Sequence, residues 1–208
     1  MSSPHGSPDA GATPGSTATQ LLDLARYLGA TEAAIIDSRK IVVTDSLAAL
    51  CAQPRCPHYG LSATCPPHVT GPAEFRDLVT RHDQALVYKI DVPTALLLSP
   101  EVTELMRLVH EIGTSLERKA LELGLSRARA FAGGSCKEIF CGGEPDCRVV
   151  DRGGDCRHPD LARPSMSGYG VDTTAMLRAA GLTLLRVDPG AEPPPDASGT
   201  VCGLVLLA

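Results

Sequence analysis

Apolar residues recur at helical spacing from Gln20 to Leu28 (Leu21, Leu22, Leu24, Ala25, Leu28), and Gly29 follows as a stop. Two runs, Ala33-Ala34-Ile35-Ile36 and Ile41-Val42-Val43-Thr44, flank the turn-forming Asp37-Ser38-Arg39-Lys40, which predicts a hairpin. Ser46 is placed to cap a short helix that delivers Cys51. Phe75 to Arg81 reads as a short helix and Ala85 to Val92 as a strand. Ser99 at an N-cap and Pro100 at the first helical position open a long helix, with Leu105, Leu108, Val109, Ile112, Leu116, Ala120 and Leu123 as its apolar stripe and Gly124 as its end. Arg127 to Ala132, Leu182 to Val187 and Thr200 to Leu207 read as strands, Asp172 to Ala180 as a helix closed by Gly181, and Pro189 to Ser198 as a Pro-rich surface loop. This alternation predicts an α/β or α+β fold with a mixed sheet and flanking helices. Two cysteine-rich loops, Cys51 to Pro72 and Gly133 to Ser167, flank the strand–helix–strand unit Ala85 to Ala132.

Composition narrows the class. A chain of 208 residues with 43% hydrophobic and 21% charged residues is long enough to bury a core without metal. The first 19 residues, rich in Ser, Pro, Gly and Ala, read as a disordered leader, with one domain over 20–208. Net charge is −5, there is no Lys/Arg run, aromatics are 3% and Trp is absent, which argues against a nucleic-acid partner. No apolar stretch approaches the roughly 20 residues that span a bilayer, and no charged-then-apolar export signal opens the chain. The expected location is therefore the reducing cytoplasm, where eight cysteines point to metal or redox chemistry rather than to disulfides.

The first loop spaces Cys51, Cys56 and Cys65 as C-x4-C-x8-C. Thiolates are soft ligands, suited to iron–sulfur clusters or zinc. Cys56 and Cys65 are each followed by Pro, as in ferredoxin-type cluster loops, and Gly60 allows a tight turn. Three cysteines on a 4Fe–4S cluster leave one iron open, whereas His58 or His68 would close the site. Zinc suits the C-x4-C pair but fits the x8 step and the odd count less well.

The second loop spaces Cys136, Cys141, Cys147 and Cys156 as C-x4-C-x5-C-x8-C, enough thiolates to close a 4Fe–4S or zinc site. Gly133, Gly134, Gly142 and Gly143 offer backbone N–H groups to cluster sulfides, or serve as plain turn residues. Arg157 is placed to balance thiolate charge. The eighth cysteine, Cys202, lies in the apolar run Val201 to Leu207 and reads first as core, second as a fourth ligand for the first loop.

Cys56-Pro-His-Tyr-Gly60, Cys65-Pro-Pro67, Gly134-Ser-Cys136, the string from Cys156 to Met166 (CRHPDLARPSM) and Tyr169-Gly-Val-Asp172 together resemble a bacterial and archaeal family of cysteine-rich predicted metal-binding proteins, a domain of unknown function. The resemblance runs from about Leu21 to Ala208. It implies a metal or iron–sulfur site on the seven loop cysteines and no settled reaction. Members commonly carry an acidic residue after Pro-Ser-Met, where this chain has Ser167.

The leading expectation is an iron–sulfur protein with one or two 4Fe–4S clusters, acting on a small molecule through an open iron or supplied with electrons by a redox partner protein. The alternatives are a ferredoxin-like carrier, favoured if Cys202 completes the first site, and a zinc-stabilised binding module. Candidate helpers are His58, Tyr59, His68, His158, Arg163 and Tyr169, each also readable as structural, with Arg163 leaning towards a charge role beside thiolates. No dinucleotide fingerprint or P-loop is present.

Overall fold

The computed structural model describes residues 14–186, 194 and 196–208. Helix α1 (Pro14–Tyr27) starts at Pro14 rather than Gln20, within the stretch read as a leader, and residues 1–13 lie outside the described residues. Strand β1 (Glu32–Asp37) follows, but the expected hairpin partner does not form. The Ser38 hydroxyl, fully buried, donates to the carbonyls of Val79 and His82 and ties the turn to the helix below it. The chain therefore does not reverse alongside β1: Ile41 sinks into the core and Val43 makes only a single bridge, to Val171.

Helix α2 (Asp45–Ala49) leads into the first cysteine loop, and α3 (Pro72–Arg81), with Pro at its first position, leads out of it. Strand β2 (Gln84–Pro93) comes next, then a short α4 (Thr94–Leu97) and the long α5 (Val102–Glu122). Ser99 does not cap α5: its hydroxyl donates to the Leu96 carbonyl and so closes α4, and α5 begins at Val102. Strand β3 (Arg129–Phe131) precedes the second cysteine loop, which folds two helices of its own, α6 (Cys136–Cys141) and α7 (Arg148–Arg152). Helix α8 (Thr173–Ala179), capped by the Asp172 carboxylate on the Ala175 N–H, and strand β4 (Ser198–Leu207) complete the chain.

The fold is α+β, with a four-stranded sheet ordered β1-β2-β4-β3. All three strand pairings are antiparallel, which corrects the expected mixed sheet. The reason is topological. β2 and β3 do run parallel to each other, with α5 as their crossover, but β4 inserts between them and pairs with both. The expected strand from Leu182 to Val187 is also absent: 182–186 are not strand, although Leu185 exchanges hydrogen bonds with Thr200, and Val187 lies outside the described residues.

Alternate residues of a strand face opposite sides, so β2 feeds two cores. Leu86, Tyr88 and Ile90 pack with Leu21 of α1 and Val109, Ile112 and Leu116 of α5. Ala85 and Val87 pack on the other face with Phe75 of α3 and Met176 and Leu177 of α8. Gly203 of β4 admits the Tyr88 ring, whose hydroxyl donates to the Val109 carbonyl at 2.6 Å; a Cβ at 203 would fall on that hydroxyl. No described helix is long and apolar enough to cross a membrane.

Candidate metal centre

The first cysteine loop is closed on itself by backbone hydrogen bonds. The Cys51 N–H reaches back to Ala48 at the end of α2, the Cys56 N–H reaches Cys51, and Gly60, at φ +82°, donates to the Pro66 carbonyl at 2.8 Å. His68 also serves this closure, its Nε2 lying 3.2 Å from the Gly60 carbonyl. Gly60 is what lets the chain turn back at that point. The result brings Cys51, Cys56 and Cys65 to the wall of one cleft of about 110 Å³, partly open to solvent. Burial pushes the Cys51 thiol up from its ordinary range, and repulsion from Cys56 and Cys65 adds to it.

The opposite wall comes from the second half of the chain. Gly134 and Ser135 arrive from the end of β3, and Ser165 and Ser167 from the segment after Arg163. These two segments are stitched together and to the first loop. Ala132 and Ser165 form a parallel bridge, the Met166 N–H donates to the Ala132 carbonyl at 2.9 Å, and the Ser165 N–H donates to the Thr64 carbonyl at 2.9 Å.

Ser135 is 1% exposed, and its hydroxyl has no protein partner. The local sequence Ser135-Cys-Lys-Glu138 has the form of a capping box, in which serine and glutamate would satisfy the helix terminus. The structure puts both to other uses. The Ser135 side chain does not cap α6 but lines the cleft, and the Glu138 carboxylate meets His58 Nε2 at 2.9 Å. That pair joins the first loop to α6.

The second group of thiols begins where the first ends. Cys136 opens α6 beside Cys65 and Cys156; burial pushes its thiol up, and the hydroxyls of Thr64 and Ser62 pull it down. Cys141 ends α6 near Cys147 and Cys156. Burial raises the Cys141 thiol, and the Arg157 guanidinium opposes that rise in part. Arg157 is itself held by Asp146 and Glu144. The His158 N–H donates to the Cys156 sulfur at 3.3 Å. Both groups are free thiols, and so is Cys202. Cys202 packs against the second core, where burial pushes its thiol up to about 12, so it stands away from the cleft as a core residue.

Among the described residues, no three Cys, His, Asp or Glu side chains are gathered as ligands of a single metal ion; Cys51, Cys56 and Cys65 instead border the cleft. The donor set nonetheless fits a thiolate-bound metal group. Three thiols line one cavity, the four of the second loop lie beyond Cys65, and Ser135, another residue of the cleft, has a buried hydroxyl without a protein partner.

The remaining sequence candidates divide by position. His58 and Tyr59 line the cleft, whereas Tyr169 is buried edge-on to Phe131 as part of the core. Arg163 does not turn to the thiols. Its Nε bonds Glu117 Oε2 at 2.7 Å, its other contacts are the Pro159 and Ala162 carbonyls, and Glu117 in turn accepts the Ala130 N–H at 2.9 Å.

His110, unmarked by any motif, anchors the second loop at both ends. Its Nδ1 accepts the Arg163 N–H at 3.1 Å, which leaves Nε2 to donate to the Gly133 carbonyl at 3.1 Å. The ring is fully buried, edge-on to Phe140, and burial pushes its pKa down to about 4. The neutral ring is thus the folded form. Its stabilisation is complete above the ordinary histidine value and is lost as pH falls from about 6.5 towards 4, to a limit of about 3 kcal/mol. Urea midpoints should show wild type losing about 2 kcal/mol more than His110→Gln between pH 7 and pH 5; equal losses would remove His110 from this role.

No curated protein and no solved structure matches the chain. A family model described as Predicted metal-binding protein (DUF2284) matches residues 34–207, a span that takes in both cysteine loops and all of β2, β3 and β4. The chain belongs to this family of predicted metal-binding proteins.

Proposed function

We propose that the protein binds 4Fe–4S clusters through its two cysteine groups and acts on a small molecule at the three-cysteine cleft. One observation carries this reading: Cys51, Cys56 and Cys65 line one cleft, and no fourth cysteine is among its lining residues. A cluster held there would supply an open iron as a Lewis acid. The chain's own residues do the rest. The Ser135 hydroxyl bonds an acceptor in the cleft, while Tyr59 and Ser167 border the approach. On this reading the four cysteines of the second loop would close around a second cluster that carries single electrons from a redox partner protein.

A ferredoxin-like carrier is the weaker reading, because the cysteine that would complete the first set, Cys202, packs into the core instead. The test is anaerobic purification, a visible spectrum, and iron, acid-labile sulfide and zinc analysis of one sample. Broad absorbance near ~400 nm with about eight irons per chain is the expected result, and about four would leave one group without a cluster. A colourless protein with stoichiometric zinc and no sulfide would replace this reading with a zinc-stabilised module.

A further inference from the structure

We infer that the substrate is an elongated molecule with an anionic end, a carboxylate or a phosphate, which the guanidiniums of Arg178 and Arg186 bind at the far end of a groove leading from the cysteine cleft. The tie to the cleft rests on the reading above. The cleft, at about 110 Å³, is smaller than the groove beside it, at about 370 Å³, and the two share Cys51, Cys56 and Ser167 in their walls. Leu47, Leu50 and Val171 make part of that groove apolar, and Leu50, next to Cys51, is 55% exposed and free to meet a ligand.

Thr174, in the first turn of α8, lines both this groove and the next cavity, of about 390 Å³. Thr174, Arg178 and Gly181 recur at helical spacing and line that cavity along one side of α8 and the turn beyond it. Arg186 lines it from the following segment, and its Nη2 donates to Thr174 Oγ1 at 3.0 Å. Leu185, its neighbour, exchanges hydrogen bonds with Thr200 of β4, so the backbone that carries Arg186 is pinned to the sheet. Among the described residues, no carboxylate lines this cavity and neither arginine has an acidic partner. Two unneutralised guanidiniums, in a chain of net charge −5, can hold a carboxylate or phosphate through paired N–H donors. The Asp172 carboxylate stands in the wall of the middle groove, where it caps α8. It repels an anionic group that stops there, so charge directs that end to the arginines and leaves the other end at Cys51 and Cys56.

Full-length protein would be titrated calorimetrically with octanoate, octyl phosphate and octanol. At least one of the two anions should bind about tenfold more tightly than octanol, and the tighter of them identifies the anionic group. Both arginines are exposed, so their substitution leaves the two cores intact. The double variant Arg178→Gln/Arg186→Gln should lose the advantage over octanol, and Arg178→Lys/Arg186→Lys should keep part of it. Leu50→Asn should weaken the bound anion several-fold. Equal affinity of wild type and the glutamine double variant, unchanged affinity in Leu50→Asn, or no binding of either anion by wild type overturns the inference. Iron and sulfide analysis of the same samples reads the clusters separately. Full clusters without anion binding sink the inference alone, whereas arginine-dependent binding to a protein with zinc and no sulfide sinks the cluster reading and leaves the anion site standing.

Discussion

Replacing Cys136 with alanine should cut the iron content of anaerobically purified protein by about half, while Cys56→Ala should remove the complementary half. The expectation follows from where the two thiols stand. Cys136 is 8% exposed and meets both Cys156 of its own group and Cys65 of the other, whereas Cys56 faces the cleft with Cys51 and Cys65. Cys136 is the buried member of the second group, and on the cluster reading its loss leaves only the half-buried Cys141, Cys147 and Cys156, from which the centre is expected to escape during purification. Iron and sulfide analysis reads the outcome directly. Loss of all iron from either variant would mean that the seven thiols serve one shared centre. Unchanged iron in Cys136→Ala would remove that residue from the ligand set.

Gly170→Ala is expected to destabilise the protein by more than about 4 kcal/mol, enough to leave a large unfolded fraction. Gly170 has φ +70°, a region costly for any residue with a side chain. A Cβ there would also collide with the Thr44 carbonyl, which is backbone and cannot swing aside, and would come within 3.3 Å of the Pro72 ring. The Thr44 N–H donates to the Gly170 carbonyl at 2.8 Å, so the two chains are already pinned at contact. Separating them would move the Ser167–Tyr169 turn, which supplies one wall of the cleft. A denaturant midpoint within about 1 kcal/mol of wild type would show that residue 170 does not lie against residue 44.

The chemistry of the chain was more legible in its sequence than the fold. Seven cysteines in two spaced groups announce a metal site whatever the scaffold, because a thiol's softness does not depend on context. The helices α3, α5 and α8 were readable from apolar periodicity within a few residues. Strands β2, β3 and β4 were readable too, but their order and direction in the sheet were not, because pairing is non-local. Nothing near Ala33 to Thr44 reveals that β1 finds its partner in β2, and nothing between β2 and β3 reveals that β4 will enter between them. The site residues that sequence reasoning missed are polar residues with ordinary local explanations. Ser135 and Glu138 look like a capping box, Ser62 and Thr64 like turn residues, and His110 sits unremarked on the buried stripe of a helix. The capping box was the one available clue, since it predicts a bond that the Ser135 side chain does not make. Arg163 misled in the opposite direction: a guanidinium in a cysteine-rich stretch suggested charge balance, yet it is a strut between that stretch and α5.

The two apolar clusters that sandwich the sheet are built without any of the seven loop cysteines. Folding and metal capture are thus separate events, and the polypeptide can persist as an empty receptacle. Loss of a bound metal would then be a repairable injury: a molecule emptied of its metal keeps its scaffold and can be refilled in place rather than made again.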